Sequence, residues 1–100
     1  MAGDSYRRIE AVRKTADIIK HLGTAKGKPQ TSAEIAEAVG LPEGTTLCHL
    51  VTLADAGFVR AIGDGWQVGM GLALVYHRVV TNLEGERDRI GSDLQKLGRN

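Results

Sequence analysis

A chain of 100 residues, 42% hydrophobic and 25% charged, fits one ordinary globular domain, and its formal net charge of +1 predicts no strong bulk pull toward polyanions. The single cysteine, Cys48, excludes an internal disulfide, and no apolar run approaches the ~20 residues of a membrane span. The opening MAGDSYRRIE has no apolar core behind its charges and does not read as a signal peptide, so a soluble cytoplasmic protein is expected.

In chain order, Tyr6–Leu22 is the first predicted helix. Ile9, Val12, Ala16 and Ile19 recur at three and four, and Ile18 and Leu22 widen the stripe. Asp4 or Ser5 is suited to cap its start and Gly23 to end it. The basic side chains Arg7, Arg8, Arg13, Lys14 and Lys20 lie mostly off the stripe. GTAKGKPQ (23–30) is a loop by composition. Residues 1–30 hold seven Lys/Arg against three Asp/Glu, residues 31–60 hold one Arg against four acids, and the rest balance. The amino-terminal third is therefore the one clearly basic region.

Thr31 or Ser32 caps a second helix, and Glu34, three residues after Thr31, completes a capping-box spacing. Ile35, Ala36 and Val39 form its apolar face, Gly40 supplies a left-handed exit, and Leu41 turns inward. Pro42 suits the first turn of a third helix, where its missing N–H costs nothing. Thr46, Leu50 and Leu53 share one face of that helix, Leu47, Val51 and Ala54 a neighbouring one, and Gly57 ends it. A strand over 58–62 follows, then Gly63-Asp64-Gly65, which is strong hairpin-turn chemistry, then a returning strand over 66–68. The last helical region begins after Gly69-Met70-Gly71. Leu72, Tyr76, Val79, Leu83, Arg87, Ile90, Leu94 and Leu97 recur there in steps of three and four. Gly85 and Gly91 each weaken a helix by roughly 1 kcal/mol relative to alanine, so a break is expected near Gly85.

This order of elements predicts a mainly α fold with a small β-hairpin: a winged helix-turn-helix over 1–82 and a carboxy-terminal helical extension over 83–100. At GLPEGTTLCHLVTLADAGFV (40–59) the chain resembles the amino-terminal domain of the IclR family of bacterial transcriptional regulators, through Gly40, Leu41, Pro42, Thr45, Leu50, Thr52, Leu53, Gly57, Phe58 and Val59. RRIEAVRKTADIIKHL and TSAEIAEAVG upstream, and WQVGMGLALV downstream, extend the likeness to roughly residues 6–82. The resemblance implies sequence-specific binding of double-stranded DNA by a dimer. It also implies a further effector-binding domain, for which these 100 residues leave no room; the expectation is either a fragment or a stand-alone regulator of the kind that phages and mobile elements carry. Family recognition helices commonly carry arginine, whereas no Lys or Arg stands between Lys28 and Arg60 here.

The expected duplex contacts follow. Arg7, Arg8, Arg13, Lys14, Lys26, Lys28 and Arg60 are candidates for phosphates. Thr31 and Ser32, with the open N–H groups at the helix starts, favour an anion. Gly44, Thr45, Thr46, Leu47 and Cys48 would face the groove, Leu47 and Cys48 against thymine methyls, and His49 is expected to be a partly buried structural histidine. Tyr76, Val79, Leu83, Ile90, Leu94 and Leu97 are expected to pair two protomers, the other option being that this seam folds back on its own domain. Trp66 reads as packing for the hairpin and Cys48 as an unreactive thiol. No metal site, cofactor, membrane partner or small-molecule effector is expected. Neither a catalytic constellation nor a phosphate loop is present, so no enzyme is expected. A protein-interaction module or adaptor in a nucleoprotein assembly, with weak or no DNA binding, is the alternative that the cation-free third helix leaves open.

Overall fold

The computed structural model describes residues 6–99. Its order is α1 (Glu10–Gly23), α2 (Ser32–Val39), α3 (Glu43–Asp55), β1 (Val59–Ile62), β2 (Gly65–Val68) and α4 (Met70–Lys96). α1 starts four residues later than the apolar period suggests. Its N-cap is Ile9, with no side-chain cap, and the proposed caps Asp4 and Ser5 lie outside the described residues. Gly23 is the last residue of α1, as expected, and Thr24 caps it, its hydroxyl donating to the His21 carbonyl at 2.7 Å.

The capping box at α2 is present. The Thr31 hydroxyl accepts from the Glu34 N–H at 3.1 Å, and the Glu34 carboxylate accepts from the Thr31 N–H at 2.9 Å. The Thr31 N–H and hydroxyl, both donating to Glu34, hold its carboxyl below the ordinary glutamate value of 4.5. Such a group adds stability above that value, and the contribution fades as pH falls through the lowered one. Comparing urea midpoints of wild type and Glu34→Gln at pH 7 and near pH 3.5 should show the difference between them shrinking in acid. A Thr31→Ala variant should lose about 1 kcal/mol through the missing cap.

Gly40, at φ +74°, provides the left-handed turn between α2 and α3. Pro42 is the N-cap of α3, one position before the predicted first turn, and its carbonyl receives both the N–H and the hydroxyl of Thr46 at 3.0 Å. Ile18, Leu22, Ile35, Val39, Leu50, Leu53 and Val59 form the core, with Ile19, Leu41, Phe58, Trp66 and Val68 packed around it. The expected α1 stripe is correct only in its carboxy-terminal half. Ile9 and Val12 are 66% and 62% exposed, while Ile18 and Leu22 are buried.

β1 and β2 pair antiparallel from Val59↔Val68 to Ile62↔Gly65, so Gly63-Asp64 is a two-residue turn with Gly63 at φ +60°. The predicted loop 23–30 is more than a loop at its end. Gln30 pairs with Trp66 as an isolated bridge, N–H to carbonyl in both directions at 2.9 and 2.7 Å, and this ties the wing to the body. α4 runs unbroken from Met70 to Lys96, so the break expected near Gly85 is absent. At 27 residues it is about 40 Å long. It has no buried residue and extends from a body whose overall dimensions, helix included, are 60 × 41 × 21 Å. No helix among the described residues is long and apolar enough to cross a membrane.

Candidate nucleic-acid interface

The two-helix core of the site is α2 followed by α3. Thr46, Leu50 and Leu53 turn α3 inward, which leaves Gly44, Thr45, Leu47, Cys48, Val51, Thr52 and Asp55 on its outer side. Leu47 and Val51 are 43% and 48% exposed, one turn apart. Neither joins the buried face of Thr46, Leu50 and Leu53. Among the described residues these side chains stay exposed, and Gly44 has open space where a Cβ would stand.

Thr46 is not a groove residue. It is fully buried, and its hydroxyl is satisfied by the Pro42 carbonyl four residues back. His49 is half-buried as expected; its Nδ1 lies 3.0 Å from the Thr45 carbonyl and its Nε2 is buried without a partner among the described residues.

The cations fall into two groups. At the start of α1, Arg7 and Arg8 in the segment just before it and Arg13 in its first turns surround a shallow apolar surface of Ile9, Val12 and Ala16. Arg13 stands 3.7 Å from Asp17 and remains largely exposed. This end of α1 adjoins α3 across a cleft lined by Ala11 and Thr15 on one side and Cys48, His49 and Thr52 on the other. Lys14 departs from its expected role. Its ammonium donates to the Val39 carbonyl at 2.8 Å, so it caps the carboxy-terminal end of α2 and is committed to the fold.

The second group gathers where the basic loop meets the wing. The Gln67 side chain donates to the Gly27 carbonyl and accepts from Arg60 Nε, both at 2.8 Å. Arg60 is thereby held beside the loop carrying Lys26 and Lys28, which are exposed. Sequence reasoning missed Gln67, because its role depends on a contact 40 residues away. At the front of the two helices, the Thr31 hydroxyl is used by the capping box, and the Ser32 hydroxyl donates to Glu43 Oε2 at 3.0 Å. The anion site imagined there is thus occupied by the chain's own carboxylates.

The IclR helix-turn-helix domain model matches residues 11–63. An IclR transcriptional regulator from Alicyclobacillus acidocaldarius superposes with a TM-score of 0.68 at 28% identity, over 73% of this chain and 30% of that one. An IclR family transcriptional regulator from Brucella abortus gives 0.67 at 20% identity, over 82% and 32%, a likeness of fold alone. The chain thus spans about a third of the length of these solved regulators. Comparison with curated proteins gives no match. With the family match covering more than half of its residues, the chain belongs to the IclR helix-turn-helix family, the DNA-binding domains of transcriptional regulators.

Proposed function

We propose that the chain binds double-stranded DNA sequence-specifically as a homodimer. α3 lies in the major groove, the wing rests on the flanking backbone, and α4 joins the protomers. The observation that carries this reading is the open outer side of α3, adjoined by the arginine-bearing end of α1. A helix of 13 residues fits the groove, and the phosphate contacts needed to seat it come from elements beside it. Arg7, Arg8 and Arg13 form one such set and Lys26, Lys28 and Arg60 the other. Residues through about 82 form the reading head and 83–100 complete the pairing helix.

Salt provides the test. Each phosphate neutralised contributes about −0.9 to the slope of log affinity against log salt. Anisotropy titrations of the chain on mixed-sequence duplexes should therefore show a steep fall with salt. Reversing Arg7 and Arg8 to Glu should weaken all duplexes by similar factors and flatten the slope, because phosphate contacts carry no sequence information. The apolar pair Leu47 and Val51 on a cation-free helix favours one other reading, a winged helix that docks a protein groove. A flat salt response, or no duplex binding at low salt, selects that reading instead.

A further inference from the structure

The outer side of α3 has a definite chemistry that limits which base edges it can read. Leu47 and Val51 form a short apolar strip along it, with the Cys48 thiol and the Thr45 and Thr52 side chains beside them. Glu43 opens the helix on the same flank as Leu47, one turn before it, and its carboxylate is positioned: Oε2 receives the Ser32 hydroxyl at 3.0 Å, leaving Oε1 to accept elsewhere. No cation stands anywhere on α3. The bidentate pairing of Arg or Lys with guanine O6 and N7 is therefore unavailable to this helix.

Resting on the duplex-binding reading above, we propose that α3 selects a half-site through pyrimidine edges. Leu47 and Val51 meet thymine C5-methyl groups, and Glu43 accepts a hydrogen bond from the N4 amino group of a cytosine. Of the four bases, cytosine alone offers the major groove a donor with no acceptor on the same edge. Guanine presents two acceptors to the carboxylate and repels it. Adenine sets N7 beside its amino group, and thymine sets O4 beside its methyl. Ser32 acts as the positioning residue, since it fixes the carboxylate from the start of α2. Selectivity then arises as much from rejection of guanine at the Glu43 position as from attraction to cytosine.

The test begins with selection of tight duplexes from a randomised pool by the 100-residue chain, followed by affinity measurements on the winner and its single-position variants. Replacing thymine by uracil in the half-site removes only the methyl and requires no altered protein. About a fourfold loss per contacted methyl is expected, and Leu47→Ala or Val51→Ala should abolish that loss at one position each. Glu43→Gln, which can both donate and accept, should flatten the preference for cytosine at one position while leaving the thymine effects intact. Ser32→Ala should blunt the same cytosine preference more weakly. Salt-dependent binding to a guanine-centred motif on which uracil has no effect would overturn the proposal and leave duplex binding standing. Absence of binding to any duplex at low salt would remove both.

Discussion

Placing glutamate at both Leu83 and Ile90 should turn a dimer into a monomer in sedimentation velocity. It should lower affinity for a duplex with two half-sites by at least about a hundredfold, the scale on which linked binding exceeds single-site binding. Affinity for an isolated half-site should stay within a small factor of wild type. Tyr76, Val79, Leu83, Ile90 and Leu94 on α4 and Leu97 at its C-cap are all exposed among the described residues. Folding of the seam onto its own domain is therefore ruled out. At 3.6 residues per turn, these six positions and Arg87 fall within roughly 80° of one another, a stripe as narrow as a two-helix seam requires. Burying one such leucine or isoleucine is worth about 1.5–3 kcal/mol. Two carboxylates per protomer on the seam would forfeit that gain and set like charges face to face. A second readout separates this from simple surface damage. A 27-residue helix with glycines at 85 and 91, packed on the body only at its amino-terminal end, is marginal in isolation, so the monomeric variant should also lose helical circular dichroism. If sedimentation and helicity both remain at wild-type values, α4 is not what joins protomers. The same association would set the half-site separation, expected near one turn of DNA, about 34–36 Å.

The parts of this fold that were legible in the sequence are those fixed by local chemistry. Thr31 and Glu34 mark the start of α2 because a capping box closes within four residues. Gly40 and Gly57, at φ +74° and +78°, mark the two helix exits, and Gly63 marks the hairpin. What escaped was set by distant neighbours. The α1 stripe extends over more than three turns, but the core residues supplied by α2, α3 and β1 cover only its carboxy-terminal half, Ile18, Ile19 and Leu22, so Ile9 and Val12 stand in solvent. Periodicity identifies a face without saying how much of it is covered. Thr46 reads as a groove residue although it shares a face with Leu50 and Leu53, and bonding of its hydroxyl to the i−4 carbonyl lets it bury with them. Lys14 read as one more surface cation, and its role in closing α2 appears only once α1 and α2 are packed. Among the candidate contacts, the loop–wing group depends on Gln67 and the carboxylate at the front of α3 on Ser32, both pairings across the chain. Composition marks the amino-terminal third as basic but could not show that Arg7, Arg8 and Arg13 gather at the start of α1 while Lys26 and Lys28 lie on the loop tied to Arg60 through Gln67.

Gly71 should be costly to replace, and the reason lies in how α4 leaves the body. No residue of α4 is fully buried. Its direction is set by backbone hydrogen bonds from the Gly69 N–H to the Phe58 carbonyl and from the Gly71 N–H to the Gly57 carbonyl, both at 2.9 Å. A Cβ at Gly71 would sit 2.6 Å from the Gly57 oxygen and 2.9 Å from its carbonyl carbon. Those are backbone atoms of a left-handed residue that ends α3, so they cannot swing aside as a side-chain tip would. Gly71→Ala should therefore cost about 1–3 kcal/mol through overpacking, more than the ~1 kcal/mol that alanine gains over glycine within a helix. Relief of the clash requires α4 to tilt, which in the proposed dimer would carry the second reading head with it. The variant should keep its affinity for a single half-site while its optimum spacing between two half-sites shifts or broadens, as measured on duplexes with inserted base pairs. Gly85→Ala and Gly91→Ala are the contrasting cases. Neither Cβ meets anything within 4 Å, so each should stabilise α4 by about 1 kcal/mol in thermal melts and leave the spacing optimum where it was. A Gly71→Ala protein that melts and spaces its half-sites as wild type does would show that the glycine contact does not set the direction of α4.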